Sequence, residues 1–402
     1  VKASVGLSKL EADGITYSAI TPYITLKEAL EALTAKEKEL SDNKLEPGRY
    51  RINFFGKNYT FSPDDQTAME GMRTTCKAKE ILWTSKLDVS GGDLGSARTV
   101  SPAGDLTFFG DSSIVRDMSM SFTGQCSIYA DGKPLEISNG VNISEGTGTF
   151  KPDLYGGKDN QPFKGDTDLV VLSGEFRNIY AGSNGGDVTG NTSLSMRGGL
   201  ATSVYGGGNG GEVTGNSTVY MEVPNKAAEG GNTGKTEFIF TDISGQGTVK
   251  DGDLTPSVHG TKTVSVVPGN NNVDLTVRVS NLTGFDTLTL GNETGAIDYA
   301  KQQFRISARF NNKVTDDDTT NKTNTVYLNR SALVLECGSG RIENLITKKV
   351  CALVIKREQD TALQKEVTRP LLIDGRVTVS YTENISAEGV KTKVYDKIKL
   401  MY

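Results

Sequence analysis

Histidine is nearly missing from this chain: His259 is the only one in 402 residues. Multi-histidine metal sites are thereby excluded, and Ser-His-Asp or Cys-His catalysis has one possible centre, in the loop "PSVHG", with no G-x-S-x-G turn near it. Cysteine is scarce as well. Cys76, Cys126, Cys337 and Cys351 form no C-x-x-C pair, so neither a zinc site nor a dithiol motif is indicated. Buried free thiols are expected, with a Cys337–Cys351 disulfide as the alternative. No apolar run approaches the ~20 residues that span a bilayer, and the opening "VKASVGLSKLEADG" lacks the apolar stretch of a signal peptide. The expectation is a soluble chain without membrane insertion, whose export signal and anchor, if it is exported, lie elsewhere. Basic clusters are also lacking. With a net charge of −5 and scattered Lys and Arg, no nucleic-acid partner is expected.

What the chain has instead is glycine, 46 against 11 prolines, and a repeated line. "YAGSNGGDVTGNTSLSM" from Tyr180 to Met196 returns as "YGGGNGGEVTGNSTVYM" from Tyr205 to Met221, with ten identities over seventeen positions. A third copy, at the same step upstream, starts at Tyr155. Leu169, Leu194 and Val219 align, as do Val171, Met196 and Met221, and within each copy these apolar residues stand two apart. That is the period of a strand with one buried face. A unit this short cannot bury its own apolar side, so the units must stack. After Met221 the strict period fades, and "GQGTVKDGDLTPSVHG" reads as a loop between further strands.

The fold expected is therefore all-β, a right-handed parallel β-helix with an N-terminal capping helix. "GSNGG" and "GGNGG" supply the sharp turns, where positive φ is cheap for glycine. Asn184 and Asn209 should sit one above the other and hydrogen-bond as a ladder. The capping helix is read in "TLKEALEAL", where Thr25 and Glu28 form a capping box and Leu26, Ala29, Leu30 and Leu33 share a face. Boundaries follow at 1–50 for the N-terminal segment, 51–300 for the β-helix with rungs clearest at 148–222, and 301–402 for an irregular continuation with a C-terminal cap. The final stretch "RVTVSYTENISAEGVKTKVYDKIKLMY" reads as a hairpin or closing strands.

The order helix, then "EPGRY", then strand resembles the start of pectate-lyase-like right-handed β-helix proteins. The "VYGGGNGGEVTGN" rungs look like those of glycine-rich surface proteins and adhesins of Gram-positive gut bacteria. The first resemblance implies polysaccharide cleavage as one function; the second implies a cell-surface or extracellular location and a host glycan or host protein as partner.

Chemistry is sparse. Asp64 with Asp65 is the one acidic doublet outside "TDDDTTN", and the paired aspartates and Gly-His-Gly of galacturonases are not present. Asp187 and Glu212, with Pro162 in the preceding copy, align in the rungs and read as solvated turn residues, with calcium binding or proton sharing as the alternative. Asp316, Asp317 and Asp318 read as a solvated linker, since they lack the spaced ligands of an EF-hand, with a calcium site as the alternative, and calcium is the one cofactor considered. The foremost binding candidate is the column Tyr155, Tyr180, Tyr205, with Asn184 and Asn209 as further binding residues beside it. Each follows an aliphatic residue, so alternation points the rings outward as a platform for sugar or protein. The competing role is rings stacked on one another to stiffen the turn. A non-catalytic, adhesin-like binding rod is the favoured function; a polysaccharide lyase or glycoside hydrolase is the alternative, and an inert spacer the third.

Overall fold

The computed structural model describes residues 2–145, 150–223, 237–249, 254–255, 257–269, 274–294, 301–310, 324–336, 340–355, 358–360, 365–367, 371–373, 376–386, 391–396 and 398–401. It is mostly β and solenoid-like, with long parallel sheets. One sheet of 14 strands runs from the N-terminal strands to Val377–Val379, and it is parallel from Arg49–Phe54 onward. A second, of 13 strands, extends from Leu106–Thr107 to Ile398–Met401. A third, of four strands, covers only the early coils, from Asn58–Thr60 to Asn142–Glu145. One apolar core runs between them, from Val5 and Leu7 to Leu345 and Leu353.

The rungs follow the step of the repeat. Leu169 pairs with Leu194 and Leu194 with Val219; Val171, Met196 and Met221 follow in the same register. All six are buried, as the two-residue alternation requires. The threonines that open these strands are satisfied internally, Thr167 donating to Ala181 O and Thr192 to Gly206 O, each at 2.6 Å. Beyond Met221 the coils continue with altered lengths. Asn209 bridges Thr248, 39 residues on, while Val213 bridges Val258 and Thr261 N donates to Asn216 Oδ1, 45 residues back. An antiparallel pair, Gly247–Thr248 with Leu254–Thr255, is spliced into this coil, so the stretch that reads as a loop carries its own turn columns.

The first strands are antiparallel: Val5–Lys9 pairs with both Thr21–Tyr23 and Arg49–Phe54. Helix α1, Leu26–Asp42, begins at the expected cap, with Thr25 Oγ1 accepting from Glu28 N at 3.2 Å. Leu26, Ala29, Leu30 and Leu33 are buried in the core. Helix α2, Pro63–Thr75, goes beyond the sequence expectation, although Ser62, Pro63 and Asp65 compose a helix start. Asp65 is its pivot. Oδ1 accepts from Lys27 N at 2.8 Å, while Oδ2 accepts from Tyr59 Oη, Ser62 N and Ser62 Oγ, each at 2.9 Å. The Tyr59 hydroxyl accepts in turn from Leu26 N at 2.6 Å, so one buried carboxylate ties the starts of both helices. Asp65→Asn should cost about 1–2 kcal/mol, read as a lower urea midpoint, because an amide replaces charge-assisted acceptors at two N-termini.

At the far end, Tyr381–Ile385 and Lys391–Tyr395 form an exposed antiparallel hairpin. The flanking Val377–Val379 and Ile398–Met401 join the two long sheets, so both forms read for this stretch occur together. Cys351 is buried and free, its thiol donating to Leu328 O at 3.1 Å; Cys337 lies outside the described residues.

Candidate functional site

Where the strand Glu175–Tyr180 ends, Ile179 points into the core and Tyr180 follows it. Its main chain is fixed by the neighbouring coils: Gly156 N donates to Tyr180 O, and Ala181 N donates to Tyr205 O, both at 2.9 Å. In-register pairing therefore places the rings above one another at strand spacing. Four rings form the file. Tyr129 and Tyr155 lie 5.2 Å apart between centroids, and Tyr155 to Tyr180 and Tyr180 to Tyr205 are 4.8 Å each, with planes inclined by no more than 15°.

The file is not an outward platform. Tyr155, Tyr180 and Tyr205 are 2%, 4% and 3% exposed, a separate buried cluster with Tyr129. Alternation fails here because the strand stops at the tyrosine, and polar side chains of the turn columns reach the ring hydroxyls. The expected asparagine ladder closes it. Asn184 Nδ2 donates to Asp159 Oδ1 at 2.7 Å, Asn209 Nδ2 donates to Asn184 Oδ1 at 3.0 Å, and Thr248 Oγ1 donates to Asn209 Oδ1 at 3.0 Å. The same groups meet the ring hydroxyls: Asn184 Nδ2 lies 3.1 Å from Tyr129 Oη, Asn209 Nδ2 3.4 Å from Tyr155 Oη, and Thr248 Oγ1 3.3 Å from Tyr180 Oη. Carboxylates close both ends, Tyr129 donating to Asp159 at 3.0 Å and Tyr205 to Asp242 at 2.6 Å. The sequence signal for Tyr129 is the preceding Ile128, but its coil is longer than the repeat by a single residue and falls out of a strict search at that step.

Burial pushes the hydroxyl of Tyr180 up to about 12 and raises those of Tyr129, Tyr155 and Tyr205 as well. An unfolded tyrosine ionises near pH 10. The file's protonated form therefore stabilises the fold fully below about pH 10, and that contribution is lost as pH rises towards 12 and the unfolded rings ionise first. An alkaline titration of phenolate absorbance should show these rings silent until a cooperative unfolding step above pH 10, and a smooth titration of all fourteen tyrosines near pH 10 would contradict it.

The other candidates disperse. Asp65 is the buried cap described above, while the exposed Asp64 pairs with Lys27 at 3.1 Å, so the doublet is not a working pair. Asp187 Oδ1 accepts from Glu212 N at 2.9 Å, and Glu212 reaches His259 Nε2 at 3.2 Å on an exposed turn. Asp316, Asp317 and Asp318 lie outside the described residues. Among the described residues, no three His, Cys, Asp or Glu side chains converge as metal ligands. Two grooves flank the helices, one of 310 Å³ between α1 and α2 at Leu30, Thr34 and Met72, and one of 450 Å³ at Glu37, Cys76 and Asp111. No helix among the described residues is long and apolar enough to cross a membrane. Set against protein-family models, curated proteins and solved structures, the chain has no match.

Proposed function

We propose that this chain is a non-catalytic, exported surface or adhesin-like module, a right-handed β-helix closed at its N-terminal end by α1 and holding a long face towards a host glycan or protein. The observation that supports it is continuity: two parallel sheets share one core from the first coils to the last. Such a stack is stiff along its axis and repeats its outward side chains at each coil, which suits extended contact. The buried apolar face of α1 supports the capping role, since an open first coil would leave strand edges unpaired.

The test applies the whole chain to a glycan array and a panel of host surface proteins, with reducing-sugar and unsaturated-product assays run on pectins, mucins and glycosaminoglycans. Binding without turnover is expected. Turnover of any polymer would replace this function with that of a polysaccharide lyase or hydrolase.

A further inference from the structure

We infer that the outward face of the 14-stranded sheet is a docking strip for an uncharged polysaccharide lying along the coil axis, an inference that rests on the binding-module function proposed above. Register, not sequence proximity, assembles it. Ser193, Thr218, Thr263, Thr287 and Thr325 are consecutive partners on successive coils. Two residues further along each strand, Ser195, Tyr220, Ser265, Thr289 and Tyr327 form a second rank. Each of these positions is half-buried or exposed, and each carries a hydroxyl. At ~4.8 Å per coil each rank is about 19 Å long, and the ranks stand about 7 Å apart.

The chemistry selects the occupant. Hydroxyls donate and accept alike, so they match sugar hydroxyls in either sense. Ser195 Oγ accepts from Arg197 Nε at 3.2 Å; the other nine hydroxyls have no hydrogen-bond partner among the described residues. The array itself carries no charge. Its flanks carry scattered charge of both signs, Asp168 one coil before Ser193 in the first rank, Arg197, whose guanidinium lies 5.4 Å from the centre of the Tyr220 ring, Glu222, and Lys348 paired with Glu293, so neither a polyanion nor a polycation finds a matching row of charge. Tyr220 and Tyr327 stand three coils apart in one rank, about 14 Å, and give two aromatic faces against which pyranose rings can lie.

Isothermal titration of the whole chain with soluble mixed-linkage β-glucan, galactomannan and polygalacturonate, at low and high salt, tests this. A neutral polymer should bind with salt-independent affinity, and Y220A/Y327A should weaken it about tenfold or more. T263V/T287V keeps side-chain shape, guards against misfolding of the ring variant, and should weaken binding severalfold. Salt-sensitive preference for polygalacturonate, or neutral binding untouched by both variants, overturns the strip while leaving the binding module standing. Failure of all three polymers overturns the strip too, and the module falls with it only if the glycan and host-protein panels are also blank.

Discussion

Tyr180→Ala is expected to lower stability by about 3–5 kcal/mol, the range for emptying a buried aromatic site. The ring sits between two others at 4.8 Å and is 4% exposed, so the void opens on both sides and water has little access. Bonds from Gly156 N to Tyr180 O and from Ala181 N to Tyr205 O hold the main chain to its neighbouring coils, which limits collapse around the cavity. Tyr180→Phe keeps the stack and removes only the hydroxyl next to Thr248, at about 1 kcal/mol. Urea unfolding of the two variants should separate these effects. Equal, small losses would mean that the ring is exposed after all.

Gly211→Ala should cost about 3 kcal/mol or more, near the top of the range for overfilling a packed site. A Cβ there would lie 2.1 Å from Gly186 O on the neighbouring coil, and the obstacle is backbone, which no rotamer change relieves. Gly210, immediately before it, has φ +84 and is required for a different reason, since its turn needs the left-handed region. Alanine at either position should lower the melting temperature. Gly71→Ala, at a helical position with nothing near its Cβ, should leave it unchanged or raise it.

The rungs were legible because apolar residues two apart recur at one fixed step, and only stacking buries them. Asn184 over Asn209 followed from the same step. The direction of Tyr155, Tyr180 and Tyr205 did not, since alternation holds within a strand and each tyrosine is the last strand residue before the turn. Downstream coils were hidden by insertion: the step from Asn209 to Thr248 is 39 residues, and the hairpin at Gly247–Thr248 lengthens the next column further. The hydroxyl ranks were out of reach for the same reason, because Tyr220 and Ser265 become neighbours only once that insertion is known. Helix α2 had its signal in "SPDD", which reads as an acidic doublet until Pro63 is taken as a first helical residue.

Spin labels on the outward face measure the stack directly. Asp168 is four coils from Thr287, five from Thr325 and six from Asn344, although the last two steps, Thr287 to Thr325 and Thr325 to Asn344, differ widely in the length of chain between them. Dipolar distances of about 19, 24 and 29 Å, rising evenly per coil, are expected. Distances that follow sequence separation instead, or that fail to rise in equal steps, would contradict a stack of coils in register.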